Sequence, residues 1–439
     1  MISINNYHYR RQEVDDILKP YRLGMSLYEI SGLVIRWMKS AFLYWRALMY
    51  AYFYRIVMAK EVLIVAGESS ADRYGAALVE RLKTMHGGEN IRFTGTGGDA
   101  MRAAGVELLA HVRDLGHIGP REAISGLRAY YRVFRQLTTY AAVRRPDVAV
   151  LLDFPDFNLR LVKKLNRLKV KTVYYISPQL WAWRGGRVSI IRKYVDKMLV
   201  ILPFEESYFR DSGVAAEFVG HPLLEDFHPP ENREELLTSE GLNPEIETLA
   251  ILPGSRRKEI TYILPVMLRA AKLLGGSRQF LISAAPTVDL QIVENIMRTE
   301  LVSFSGKERF SISTRNAREI LAASDFAFVK SGTSSLEAAL IGVPFLVTYK
   351  ISEISWFIGS LFIRTPSKCL PNLLAGKRIV PELFQNEATP EALADAAREY
   401  LEKPEKCAAM REELGKIRGR LGERRASEVV ATVVNNYLF

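Results

Sequence analysis

From Lys60 onward, short continuous apolar runs alternate with longer stretches whose apolar residues recur every three to four positions. The short runs are rich in Val, Ile and Leu and end in turns of Gly, Ser, Pro and Asp. This alternation predicts parallel strands joined by crossover helices. A strand buried on both faces is apolar throughout, whereas the helix covering it is apolar on one side only. Strands are expected near 61–66, 91–95, 147–152, 172–176 and 197–202, and again near 248–252, 279–284, 325–330 and 344–348. The paired prolines of His228-Pro229-Pro230, followed by a charged run, mark a linker between the two sets. The expected fold is α/β, with two doubly wound domains over residues 58–228 and 229–405 and a final helix over 406–439. Sheets of this kind bind ligands at the carboxyl ends of their strands, here in a cleft between the domains.

Residues 1–57 do not follow this pattern. Between 31 and 57 lie Arg36, Lys39, Arg46 and Arg55, with no acidic residue, among Trp37, Phe42, Tyr44, Trp45, Tyr50, Tyr52, Phe53 and Tyr54. Basic residues interrupt this stretch too often for a transmembrane span, and its flanks are wrong for a signal peptide. An aromatic, basic helix lying in the plane of the lipid headgroups fits it better. A plainer alternative is that Met58, just before the first strand, is the true start and that residues 1–57 have no role.

Composition narrows the chemistry. The 439 residues suit two domains of ordinary size, and 48% apolar residues is normal for well-filled cores. The two cysteines, Cys369 and Cys407, and six histidines without an HxH or HxxxH pair exclude a disulfide framework and argue against a metal site. They also fit a reducing cytosol. A net charge of +11 calls for an anionic partner, and its distribution favours a membrane surface over nucleic acid. On the helix expected over 121–135, Arg121, Arg128, Arg132 and Arg135 fall within about 60° of one another at 100° per residue. That face is either simply solvated or in contact with anionic lipid.

Two strand ends carry the most informative turns. TLAILPGSR at 248–256 and DFAFVKSGTSSLE at 325–337 are each an apolar strand running into a Gly/Ser/Thr-rich turn that opens a helix. Such turns offer backbone N–H groups and the positive end of a helix to phosphate. Ser255 and Arg256 belong to the first, and Ser331, Gly332 and Thr333 to the second. Glu337, one turn into the following helix, is a carboxylate suited to a ribose diol. Together they describe a pocket for a nucleotide diphosphate that needs neither metal nor cofactor.

The first half supplies further candidates. AGESSAD at 66–72 places Gly67, Glu68 and Ser70 at a strand end able to receive a sugar or phosphate, although Ser70 or Asp72 could simply cap the helix. Gly95-Thr96-Gly97-Gly98 lacks GxGxxG spacing and a downstream acid, so NAD binding is rejected. In DFPDFN at 153–158, Asp153 lies nearest the strand end and is the first choice for a general base. Asn158 is a candidate substrate contact, with helix capping the alternative for it and for Asp156. Trp181 and Trp183, in YYISPQLWAWR at 174–184, could stack on a sugar or cover an acyl chain, with core packing the alternative for either one alone.

In order, AGESSAD, GTGGDAM, DFPDFN, YYISPQLWAWR, LPFE, FVGHPL, LPGSRRKEI, SGTSSLEAAL and PNLLAG resemble the lipid-A-disaccharide synthases, from about residue 61 to 400. SPQLWAWR, PGSRRKEI and PNLLAG are specific in combination; the glycine turns alone are not. The resemblance implies two Rossmann-like domains of the GT-B type. It also implies inverting transfer of 2,3-diacylglucosamine from UDP to 2,3-diacylglucosamine 1-phosphate, at the cytoplasmic surface of the inner membrane. By motif, Asp153 is the implied essential carboxylate, with Glu68 a second catalytic candidate and Gly67 and Ser70 substrate contacts in the first glycine turn. Arg256 is implied to hold the UDP phosphates, Glu337 the ribose, and Ser331, Gly332 and Thr333 the diphosphate. Asn372 of PNLLAG is implied to face the same site. Ala71, Asp99 and the segment 115–122 depart from the family pattern, which bears on the acceptor side rather than the nucleotide side.

Two other readings compete. A UDP-sugar 2-epimerase on the same fold needs no acylated acceptor, and the WAW segment, the basic helix and the aromatic flank argue against it. A membrane-associated UDP-sugar binder without activity would be expected to lack Asp153 or Arg256, and both are present. Ile354–Ile363 is apolar enough to form a homodimer interface.

Overall fold

In a computed structural model, residues 60–439 are described apart from 87–90, 116–122, 182–184, 226–231, 286–287, 303, 307–308, 354–355 and 357–366. The N-terminal stretch 1–57, Arg121, Trp183, the 228–230 linker and all of Ile354–Ile363 except Trp356 therefore lie outside the described residues.

The apolar runs form two parallel sheets. The first contains β1 (Lys60–Ala66), β2 (Ile91–Gly97), β3 (Glu107–His111), β4 (Val148–Leu152), β5 (Lys171–Tyr175), β6 (Lys197–Val200) and β7 (Ala216–Phe218), in the order β3-β2-β1-β4-β5-β6-β7. The second contains β8 (Thr248–Leu252), β9 (Gln279–Ser283), β10 (Phe310–Ser313), β11 (Phe326–Lys330), β12 (Phe345–Tyr349) and β13 (Glu382–Phe384), in the order β10-β9-β8-β11-β12-β13. Central strands β4 and β8 are buried at every residue, as strands covered by helices on both faces must be.

Both sheets reverse their winding next to their first strand. β1 pairs with β4, ending at Ala66 opposite Leu152, and β8 pairs with β11, ending at Leu252 opposite Val329. At each reversal the two following connections run to opposite faces of the sheet, which opens a crevice at the strand ends. Residues 62–82 and 93–439 form one unit, and the whole site described below lies within it.

The expected single helix over 406–439 is two helices. Pro404–Arg420 packs against Thr333–Ile341, Leu370–Ala375 and Pro390–Leu401, beside the second sheet. The chain then turns at Gly422, whose φ of +73° is left-handed, and Ala426–Leu438 packs on β4 and β5 of the first sheet. Arg424 donates to the Phe218 carbonyl at 2.7 Å and the Ser427 N–H to Glu225 at 2.7 Å, pinning this return. The apolar face of the last helix (Val430, Ala431, Val434, Leu438) is buried there.

Helix Ala123–Arg144 buries Val133, Leu137 and Ala141 and leaves Arg128, Arg132 and Arg135 exposed, as its spacing predicts. Tyr131, 56% exposed, joins Leu109, Arg132 and Arg135 along an open groove of about 720 Å³. Among the described residues, no helix is long and apolar enough to cross a membrane.

Candidate active site

The Asp153 turn is built under tension and braced. Asp153 and Phe154 both hold left-handed backbones, with φ of +45° and +48°. For residues with a Cβ this costs roughly 1–2 kcal/mol each. The Tyr174 hydroxyl donates to the Asp153 carbonyl at 2.6 Å. The Asn158 amide donates to the same carbonyl at 2.8 Å and to that of Leu152 at 3.2 Å. Phe154 stacks on Phe157 at 5.1 Å, and Phe157 meets Tyr130 edge-on at 4.9 Å. Gly67 is what lets the two turns touch, because a Cβ there would lie 2.3 Å from the Phe154 ring.

This contact brings the first two carboxylates together. Burial, and then the neighbouring charge and hydrogen bond of Glu68, push the Asp153 carboxyl up to about 7. A carboxylate poised near neutrality is what proton abstraction from an alcohol requires. Glu68 in turn accepts from Ser70 Oγ at 3.0 Å and from Arg256 Nη2 at 2.8 Å. Arg256 belongs to the turn after β8, so this ion pair joins the strand-end crevices of the two sheets.

The second crevice carries the nucleotide candidates. Ser255 and Arg256 precede helix Arg257–Leu274, and Ser331 and Gly332 precede helix Thr333–Ile341, so two helix starts, with their positive dipole ends, lie at the ends of adjacent strands. Thr333 is exposed at the first position of its helix. The Ser331 N–H is used by the Thr348 carbonyl at 3.0 Å, and its hydroxyl donates to the Lys368 carbonyl at 3.2 Å.

Several predicted residues are engaged with neighbouring protein groups. Asn372, expected to face the pocket, is buried with its amide fully used. It donates to the Val380 carbonyl and to Glu382, and accepts from the N–H groups of Ile379 and Val380. An amide so occupied holds a turn and has no capacity left for a ligand. Glu337, expected at the ribose, is also buried and lies 3.4 Å from Arg318 Nε. Asn158 braces Asp153 as described, and Asp156 pairs with Arg187 at 2.7 Å. Asp72 does cap a helix, but a neighbouring one. It accepts from the N–H groups of Gly98, Ala100 and Met101 at the start of Asp99–Ala103.

Glu205 is a residue that sequence reasoning missed. It is buried, and accepts from Ser177 Oγ at 2.6 Å, Trp181 Nε1 at 2.9 Å and the Leu202 N–H at 3.2 Å. Burial, partly offset by these hydrogen bonds, pushes its carboxyl up to about 7. Trp181, half-buried, also meets Phe204 edge-on at 4.9 Å. The signal was present in Leu202-Pro203-Phe204-Glu205, where a proline and a third-position Glu open a helix after β6. What could not be read was the partner 24 residues earlier.

Comparison with known proteins decides the family. A family model described as lipid-A-disaccharide synthetase matches residues 62–434. The lipid-A-disaccharide synthase of Myxococcus xanthus is 42% identical over 376 residues, covering 85% of this chain and 96% of the relative. That of Koribacter versatilis is 39% identical over 371 residues, covering 84% and 96%. The chain belongs to the lipid-A-disaccharide synthase family. Members of this family are glycosyltransferases, and so is this chain. Among solved structures, a putative UDP-N-acetylglucosamine 2-epimerase from Listeria monocytogenes aligns with a TM-score of 0.61 at 12% identity, covering 86% of this chain and 96% of its own. The calicheamicin glycosyltransferase CalG4 aligns with a TM-score of 0.52 at 15% identity, covering 86% and 98%. At such identities the likeness is one of fold, the two-sheet architecture shared by epimerases and glycosyltransferases. The family and the fold thus agree with the resemblance read from the motifs, while the assignment of individual residues rests on the geometry above.

Proposed function

We propose that this glycosyltransferase of lipid A biosynthesis transfers 2,3-diacylglucosamine from UDP-2,3-diacylglucosamine to the 6-hydroxyl of 2,3-diacylglucosamine 1-phosphate. The observation that carries this reading is the contact chain Asp153–Glu68–Arg256, a near-neutral carboxylate linked to a nucleotide-side cation. Asp153 takes the proton of the acceptor hydroxyl. The new bond forms at the sugar C1 as the bond from C1 to the UDP oxygen breaks, and the electron pair leaves on UDP. Arg256 and the two helix starts take up the charge that develops on the diphosphate. Inversion follows from a base on the face opposite the leaving group.

On this reading residues 58–228 form the acceptor side and residues 229–405 the donor side. Ser255, Ser331, Gly332 and Thr333 surround the diphosphate, and Trp181 lines the path of the acylated sugar. The enzyme works at the cytoplasmic face of the inner membrane, held peripherally. The exposed Arg128, Arg132 and Arg135 beside Tyr131 and the apolar groove support that placement.

The deciding experiment is UDP release from UDP-2,3-diacylglucosamine, with and without 2,3-diacylglucosamine 1-phosphate, in EDTA. Release that depends on the acceptor is expected. UDP binding without acceptor-dependent release would overturn the substrate assignment.

A further inference from the structure

We propose that Lys330 is a second cation for the donor diphosphate, held at the mouth of its turn by the buried carboxylate of Glu259. This deepens the nucleotide reading given above and rests on it.

Lys330 is the last residue of β11, immediately before Ser331-Gly332-Thr333. Its Nζ lies 3.1 Å from Glu259 Oε1 and 5.5 Å from the centre of the Tyr349 ring. It also lies 3.2 Å from where a Cβ on Gly332 would stand, so the ammonium rests against the backbone of the turn. An ammonium has three protons, and Glu259 is the one carboxylate paired with Lys330 among the described residues. Donor capacity therefore remains on a cation beside the start of helix Thr333–Ile341.

Glu259 is the third residue of helix Arg257–Leu274 and is 5% exposed. Its Oε2 is buried with no hydrogen-bond partner, and Arg256 Nη1 stands 3.7 Å from its Oε1. The loop passes directly over it. Gly254 holds φ at +109°, and a Cβ there would lie 2.9 Å from Oε2. A buried carboxylate with one oxygen unmatched is costly and, left alone, would repel an anion bound above it. Lys330, its side chain 17% exposed, offsets that charge from beside the turn.

The two cations of the site differ in their nearest carboxylate, although Arg256 Nη1 also stands 3.7 Å from Glu259. Arg256 is paired with Glu68, which is 38% exposed, while Lys330 is paired with Glu259, whose side chain is 7% exposed. An arriving diphosphate displaces Glu68 from Arg256 into water. Glu259 cannot leave, so it goes on positioning Lys330 while the spare ammonium protons turn to a phosphate oxygen.

The test is calorimetric titration of the full chain with UDP and with uridine, which shares the base and ribose but has no phosphate. Lys330→Met should weaken UDP binding roughly ten- to hundredfold and leave uridine unchanged, with Lys330→Arg recovering much of the loss. Lys330→Met also strands Glu259, so the double variant Lys330→Met/Glu259→Gln, which removes the pair together, decides the case if the single variant fails to fold. A double variant that folds and binds UDP like the parent would reduce Lys330 to a partner for Glu259 and overturn the proposal. Equal losses for UDP and uridine would overturn it too. A parent chain that bound no UDP at all would instead bring down the nucleotide reading, and this inference with it.

Discussion

Arg256 and Glu68, 188 positions apart in the chain, meet at 2.8 Å where the carboxyl ends of the two sheets come together. The pair is largely solvent-exposed, with side chains 67% and 38% accessible, and exposed ion pairs contribute little, about 0–1 kcal/mol. On the proposed reading, exchanging Glu68 for a diphosphate therefore costs the protein little.

Arg256→Ala should weaken UDP binding by about 1.5–3 kcal/mol, the worth of one charged hydrogen-bonded contact. Calorimetry with UDP measures it directly. Because the Glu68 pair it removes is exposed and its contact to Glu259 is long at 3.7 Å, the melting temperature should stay close to that of the parent.

Asp153→Asn should keep UDP affinity and lose turnover by two or more orders of magnitude, as expected of a general base. Single-turnover rates at saturating donor are the measurement. Near-normal rates would remove Asp153 from the chemistry.

The same substitution should stabilise the protein at alkaline pH. The Asp153 carboxyl titrates near 7 in the folded chain against an ordinary value of 3.8. The folded state thus holds its proton where the unfolded state has lost it. Stability from this group is fully present below about pH 3.8 and is lost as pH rises through about 7. Asp153→Asn should therefore gain on the order of 1–3 kcal/mol relative to the parent at pH 8 and nothing near pH 4, read from denaturant melts at both pH values.

Glu68→Gln should move the acid limb of the kcat/KM profile to lower pH. It removes the nearby negative charge that, after burial, does most to raise Asp153. The shift should be partial because burial remains. An unmoved limb would show that the two carboxylates do not share a proton.

Glu205→Ala should strand the Trp181 indole and the Ser177 hydroxyl, costing about 2–4 kcal/mol of stability for hydrogen bonds lost around a buried carboxylate. If Trp181 lines the acylated sugar's path, KM for the acylated substrates should rise while affinity for free UDP is kept. Equal loss for both would make Glu205 a purely structural support.

Much of the architecture was legible in the chain because burial on both faces writes itself locally. β1, β4, β8 and β11 are apolar at nearly every position, and their strand-end turns carry the glycines and hydroxyls that phosphate chemistry needs. The strands that went unread are β3, β7, β10 and β13, and these are the four edges of the two sheets. Edge strands are short and half-exposed, so their sequences lack the continuous apolar run that betrays a central strand.

The sequence by itself thus determined the fold class, the family and the Gly/Ser/Thr-rich turns at the strand ends, since each depends on residues close together in the chain. Only the tertiary structure decided which side chains face the site. Asn372 and Asn158 turn inward to brace backbone. Glu205 finds Trp181, the last helix returns to the first sheet, and Glu68 meets both Asp153 and Arg256. These pairings follow from strand order and from the reversal of winding beside β1 and β8. No local pattern of hydrophobic and polar residues encodes a contact between segments that only the assembled sheets bring together.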